Sequence, residues 1–373
     1  MQLLNTALVL GPYDWEPAVI PTTEFAARLR AVRQALTASG ATGLLVYGDT
    51  FDHGALSYIT GFTPKLGPAF ALVPREGDLS VLFSGGGIIL DLCQPRMSWV
   101  EQTRSLGSDV RANLTTALQK TFPGGGQILG LWETGAMTEE LHSVLRSAAA
   151  PLGRLVELQE PLERLRRHKS PCEQGLLRRA GEILTGTVTR LRKEVAGGTG
   201  ARSAAVAAEC EAYARGAQDA RVYTSIRNGG SPLPFDTAAD PMPEPLLASV
   251  AVRYAGYWAA GHVTLNSRSP LLQRAETALR EVIDNTRPGI STEALLEVAD
   301  RALAPYRRNP ARRLVSGIGL SLAEGPDGSR KDMVLDEGDA CVFALETADG
   351  DPPESRAQVS AMLIVRGTGA ELL

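Results

Sequence analysis

The stretch "LRRHKSPCEQGLLRRAGEI", Leu165–Ile183, decides how the second half of the chain is read. Ser170 supplies a helix N-cap, Pro171 fills the first helical position, where its missing N–H costs nothing, and Glu173 completes the capping box. A long helix is predicted from there to about Val195. Beyond it, helices are predicted over Ala201–Gly216 and Leu271–Asn285, with a fourth started by Ser291 and running to about Tyr306. The stretches "VYTSIRNG", "LLASVAVRYAGYWAAGHVTLN", "DACVFALET" and "QVSAMLIVRG" are β-rich. Antiparallel-looking strands interleaved with helices predict an α+β domain with a curved sheet.

On the N-terminal side the pattern differs. Phe25, Leu29, Val32 and Leu36 lie on one helical face between a Thr cap at Thr23 and a terminating Gly40, which predicts a surface helix. Short apolar runs follow, "TGLLVYG", "AFALVP", "LSVLFS" and "QILGLWE", alternating with helical stretches around Arg111–Lys120 and Thr138–Ala149. This alternation predicts an α/β domain ending near Leu158, dividing the chain into 1–160 and 161–373.

Composition narrows the function classes. The chain has 373 residues, enough for two domains that each bury a core, and a net charge of −4 with 21% charged residues. Nucleic-acid binding normally shows a basic stripe, and none is present. Apolar runs such as Ile88-Ile89-Leu90 are far shorter than the roughly 20 residues that span a bilayer. The first thirty residues carry Asp14, Glu16 and Glu24 and no leader pattern, so a cytoplasmic protein with no membrane or nucleic-acid partner is expected. Cys93, Cys172, Cys210 and Cys341 form no CxxC pair and are read as reduced, mostly buried thiols. The acidic stretches "EGPDGSRKD" and "ETADGDPPESR" read as exposed turns without EF-hand spacing, so no calcium site is assigned.

Five fragments, in order, resemble the pita-bread hydrolases, the family of Xaa-Pro aminopeptidase, prolidase, methionine aminopeptidase and creatinase. "DHGALSYITGF" is similar to a strand of the creatinase-type N-terminal domain, and "LRRHKSPCEQGLLRRAGEI" to the helix that opens the C-terminal one. "TRPGIS", "SGIGLSLAEGP" (Ser316–Pro326) and "VLDEGDACVFALET" resemble the later family motifs. The resemblance implies a creatinase-type α/β N-terminal domain, an α+β pita-bread C-terminal domain and a homodimer.

Active proteases of the family hold two divalent metals on two Asp, one His and two Glu. Carried over position by position, the Asp ligands fall on Ser249 and Ala260, the His on Ser316 and the last Glu on Ser360, while Glu346 keeps its type. The family's second, substrate-binding histidine falls on Ala323. One carboxylate cannot replace five ligands, so neither metal nor cofactor is expected.

The residues left at this place are the site candidates. Glu346 would point into a cavity lined by Ser, Ala and aromatics, where desolvation suits a general acid or base; the alternative is a Glu held by a hydrogen bond or an arginine. His262 shares a strand face with Ala260 and could be base, acid or ligand binder, or an imidazole bonded within the sheet. Ser249, Ser316 and Ser360 could bind a polar ligand, and His262 is the one base near enough to activate a serine. Tyr257 and Trp258 flank the same strand, with Trp258 expected on the His262 face. Phe235 falls roughly where the family carries a pocket histidine, and Lys65, in the loop after "ITGF", could pair with a substrate carboxylate if a partner's N-terminal domain reaches the site.

The expectation is thus a metal-independent, creatinase-like enzyme in which Glu346 and His262 act on a small amino-acid-like or amidino substrate. C–N hydrolysis or a related lyase, isomerase or cyclase step would fit. The alternative is a non-catalytic pseudo-peptidase that binds a peptide, protein or metabolite. A third reading is an active Xaa-Pro metalloaminopeptidase with rearranged ligands.

Overall fold

The computed structural model describes residues 15–85, 97–228, 230–234, 240, 242–327, 332–349 and 355–373. The chain forms two compact units, Met1–Arg166 and Arg167–Leu373.

In the first unit, helix α1 (Thr22–Ala38) is followed by strand β1 (Gly43–Gly48) and a short helix α2 (Gly54–Thr60). Then come β2 (Ala69–Pro74), β3 (Ser80–Phe83), β4 (Gln102–Ser105), α3 (Val110–Thr121), β5 (Gln127–Trp132), α4 (Glu139–Ala149), β6 (Gly153–Glu157) and α5 (Gln159–Arg167). The strands form one mixed sheet in the order β4-β3-β2-β1-β5-β6. β1 and β2 lie at its centre and are buried along their whole length, which explains unbroken apolar runs where a one-sided sheet would alternate.

The expected face of α1 is confirmed: Phe25, Leu29, Val32 and Leu36 are buried. Its cap is not, because the helix starts one residue early, at Thr22, and the N-cap is Pro21, which offers no side-chain acceptor. A second correction concerns "DHGALSYITGF", expected as a strand. It forms α2, closed by Gly61 in the left-handed region (φ 66°) with its N–H donating to the Ser57 carbonyl. Thr60 Oγ1 also donates back to Leu56 O at 2.6 Å.

The second unit opens with α6 (Pro171–Ala196). The capping box is formed as predicted: Ser170 accepts from Glu173 N–H, and Glu173 accepts from Ser170 N–H. Helix α7 (Ala201–Ala214) follows, then a three-stranded antiparallel sheet of β7 (Asp219–Thr224), β8 (Leu246–Tyr254) and β9 (Tyr257–Leu265). The turn between β8 and β9 has two central residues, Ala255 (φ 45°) and Gly256 (φ 85°), both left-handed as a tight hairpin requires.

Helices α8 (Pro270–Asp284) and α9 (Thr292–Leu303) precede a second sheet. Its strands are β10 (Arg307–Arg308), β11 (Val315–Gly317), β12 (Glu324–Asp327), β13 (Ala340–Asp349), β14 (Ser355–Arg366) and β15 (Gly369–Leu372). They run in the order β12-β11-β13-β14-β15, with β10 on β13. Two stretches read as acidic turns are therefore partly strand: Glu324–Asp327 is β12, and Glu346–Asp349 ends β13. Leu271, Ala275, Leu279, Leu295, Ala299 and Phe343 belong to the core between α8, α9 and this sheet.

Of the described cysteines only Cys341 is buried; Cys172 is half-buried and Cys210 exposed, which corrects the expectation of mostly buried thiols. No helix among the described residues is long and apolar enough to cross a membrane.

Tyr257 is fully buried and its hydroxyl donates to Glu173 Oε1 at 2.9 Å, so one carboxylate caps α6 and also fixes β9. Replacing Tyr257 by Phe removes a donor from a buried carboxylate. A loss of about 1–3 kcal/mol in urea unfolding, at unchanged slope, is the expected outcome.

Candidate functional site

His262 and Ser249 stand directly opposite each other on β9 and β8. Facing residues of an antiparallel pair share one side of the sheet, and here Ser249 Oγ lies 2.9 Å from His262 Nδ1. His262, but not Ser249, lines a cavity of about 330 Å³ whose lining comes entirely from the second unit. Ala260 and His262 of β9 form one wall; Ser316 of β11, Val342, Ala344 and Glu346 of β13 and Gln358 of β14 form the other. Arg312 and Arg313, from the loop before β11, stand at the same cavity, as does Leu322.

Glu346 is held by its own chain. Its Oε1 accepts from Asn309 Nδ2 at 2.8 Å and its Oε2 from Arg312 Nε at 3.0 Å. This is the arginine-held arrangement weighed as the alternative to a lone buried acid. The Arg312 charge also acts on His262: burial chiefly, and then Arg312, push the imidazole below its ordinary pKa, with Glu346 opposing. The imidazole is therefore neutral at pH 7, able to accept a proton at one nitrogen.

The other predicted residues are placed as follows. Ser316 lines the cavity. Ser360 faces the His262 backbone instead of the cavity: its hydroxyl accepts from His262 N–H at 2.6 Å and donates to His262 O at 3.2 Å. Tyr257 is an odd number of positions from His262 on β9, so alternation puts it on the opposite face, against α6. Trp258 is buried, with the Arg221 and Arg253 guanidinium carbons 4.7 and 5.7 Å from its ring centre, and is not among the cavity residues. Lys65 is half-buried in the first unit, in the loop between α2 and β2. Phe235 lies outside the described residues.

Three residues of the site were missed in the sequence. Gln358 is two positions before Ser360 and is buried; its Nε2 donates to Ala248 O at 2.8 Å. Asn309 and Arg312 come from "RRNPARR", a loop with no periodicity to read; the cue was only that it precedes the motif beginning at Ser316.

The structural likeness is broad. The prolidase of Pyrococcus horikoshii superposes with a TM-score of 0.74 at 17% identity, over 93% of this chain and 97% of that one. Dipeptidase PepE of Mycobacterium ulcerans gives 0.73 at 19% identity, over 95% and 96%. The X-Pro aminopeptidase of Thermotoga maritima gives 0.73 at 16% identity, over 92% and 96%. At these identities the likeness shows the fold. No curated protein matches the sequence. The family model of metallopeptidase family M24 matches residues 175–366, just over half of the chain. The chain belongs to metallopeptidase family M24.

A metal is implied for an M24 chain, and the donors at this place do not fit one. Ser249 is engaged with the His262 ring, Ser360 with the His262 backbone, and Glu346 with a guanidinium. Hydroxyls already in hydrogen bonds and a carboxylate neutralised by arginine are poor ligands for a divalent cation. Among the described residues no group of three or more His, Cys, Asp or Glu is arranged to hold a metal ion.

The depressed pKa of His262 has a stability consequence. Above the ordinary imidazole value of 6.5 the ring is neutral in both folded and unfolded chains. As the pH falls through 6.5 the unfolded chain takes up a proton that the folded one refuses, so stability is lost on acidification until the folded value is reached. Urea midpoints measured from pH 7.5 downward should fall more steeply for the wild type than for His262→Gln. Parallel curves would mean that the ring titrates normally in the fold.

Proposed function

We propose that this M24 chain is a metal-independent enzyme that uses acid–base chemistry at a C–N bond of a small amino-acid-like or amidino substrate. The observation that supports it best is His262, which lines a cavity of about 330 Å³ and has Ser249 Oγ 2.9 Å from its Nδ1. In this reading Nδ1–H donates to Ser249 Oγ, which fixes the ring and leaves Nε2 as the proton acceptor. In the hydrolytic case, Nε2 takes a proton from water as its oxygen adds to the carbon, then passes that proton to the leaving nitrogen. Ser249 is a positioning residue here. Glu346, held by Asn309 and Arg312, orients the guanidinium; proton transfer is left to His262. The protein is taken to act in the cytoplasm as a homodimer, with light scattering expected at twice the mass of one chain.

The full engagement of Glu346 by its own chain favours a second reading, a non-catalytic binding domain. The two separate in one experiment. A metabolite extract is incubated without added metal with wild type and with His262→Gln, and both are compared by mass spectrometry. A species consumed by wild type alone, with the variant's stability within about 1 kcal/mol, is the expected result. A species merely depleted by both supports the binder. Stoichiometric Mn, Co or Zn in the purified protein, together with Xaa-Pro cleavage that chelation abolishes, would overturn metal independence.

A further inference from the structure

Gln358 is held on every side but one. It is 4% exposed, and its backbone N–H and C=O are both bonded to Thr264 Oγ1 at 2.8 Å. Its Nε2 donates to Ala248 O at 2.8 Å and to Val263 O at 3.4 Å. A carbonyl only accepts, so these contacts fix which end of the amide is nitrogen: the flipped group would set Oε1 against two carbonyl oxygens. Oε1 therefore faces away from them and makes no hydrogen bond among the described residues, although Gln358 lines the cavity. Ala248 and Val263 are register partners one step along from Ser249 and His262, so the amide is held next to the pair that carries the imidazole. Glu346 faces Gln358 across β13 and β14, but its charge is already offset by Arg312.

We propose that Gln358 Oε1 selects the ligand of this cavity by accepting an N–H from an uncharged primary carboxamide. This rests on the reading of His262 as the base of an enzyme site and narrows its substrate class. A buried acceptor left without a donor is costly, so a ligand that supplies an N–H there is favoured over one that cannot. Charge decides among the N–H donors. An ammonium or amidinium would be buried against a neutral carbonyl while Glu346, the carboxylate among the lining residues, is already paired, and a buried cation without a counter-charge is expensive. The carboxamide carries no such cost. Held by its nitrogen, such an amide is split as water's oxygen bonds to the carbon and the C–N bond breaks. One water proton passes through His262 Nε2 to the nitrogen, which leaves as ammonia, and the carboxylic acid remains.

The test is ligand-observed NMR on the full-length protein without added metal, using propionamide, N,N-dimethylpropionamide, propionamidine and propylamine as matched probes. The primary amide is expected to bind roughly tenfold more tightly than its dimethyl counterpart, and the amidine and amine to fail. Gln358→Met keeps length and volume without the acceptor and should abolish the preference for the primary amide, which a role in folding alone would not do. That variant also leaves the Ala248 and Val263 carbonyls without their donor, so if it fails to fold the wild-type series decides. Equal binding of the two amides by wild type, tighter binding of the amidine or amine, no probe binding, or a preference unchanged in Gln358→Met would each overturn the assignment. Selective binding of the primary amide without release of ammonia supports it and removes only the enzyme reading. Turnover of a substrate whose reacting nitrogen bears no N–H would keep the enzyme reading and overturn this inference.

Discussion

Two separate sheets of the second unit are joined along β9 and β14 by side chains instead of a ladder. Thr264 Oγ1 accepts from Gln358 N–H and donates to Gln358 O, both at 2.8 Å, and Gln358 Nε2 crosses to Ala248 O. Ser360 makes the same two-way bond to His262. Everything at the cavity depends on this seam, because the Ser249–His262 pair belongs to one sheet and Ser316, Val342, Ala344 and Glu346 to the other. A hydroxyl can donate and accept at once, so each of these residues satisfies both an N–H and a C=O of a buried strand.

The other walls are set by buried charge. Lys169 Nζ lies 2.5 Å from Glu324, and both side chains are almost completely buried. The same carboxylate accepts from Ser321 N–H at 3.2 Å and fills the space where a Cβ at Gly319 would be. The turn carrying Leu322 to the cavity is therefore pinned from beneath by a charge that has nowhere else to go. Such a pair adds little net stability compared with apolar packing, but breaking it on one side costs about 3–5 kcal/mol. It fixes shape more than it contributes energy.

Much of this was legible in the sequence, and the reasons differ by element. The capping box at Ser170–Glu173 and the stripe of α1 are local patterns, and local physics decided them. The stretch that became α2 was read as a strand from its resemblance to a family motif, and because every residue of the helix is buried, neither a two-residue nor a 3.6-residue signature was there to correct it. Alternation along β9 correctly aimed His262, and applied to Tyr257, five positions away, it puts that side chain on the other face, against α6, where it cannot be the ligand-binding residue it was taken for. It could not reveal that Arg221 and Arg253 would stack around Trp258. Arg312 and Asn309 were hidden for a different reason: their partner, Glu346, lies on β13, and nothing local in "RRNPARR" announces a contact that only the folded sheet creates.

The Ser360 bond also bears on how this lineage can change. A carboxylate at 360 could accept from the His262 N–H, but it has no proton for the His262 carbonyl, and two electron-rich oxygens would then face each other at the seam. Ser249 and Glu346 are bound in the same way, one by an imidazole and one by a guanidinium. Any single substitution toward an acidic, metal-holding set would first break a satisfied contact and gain only one ligand. Such a set needs several replacements at once, so the hydroxyl at 360 works as a ratchet.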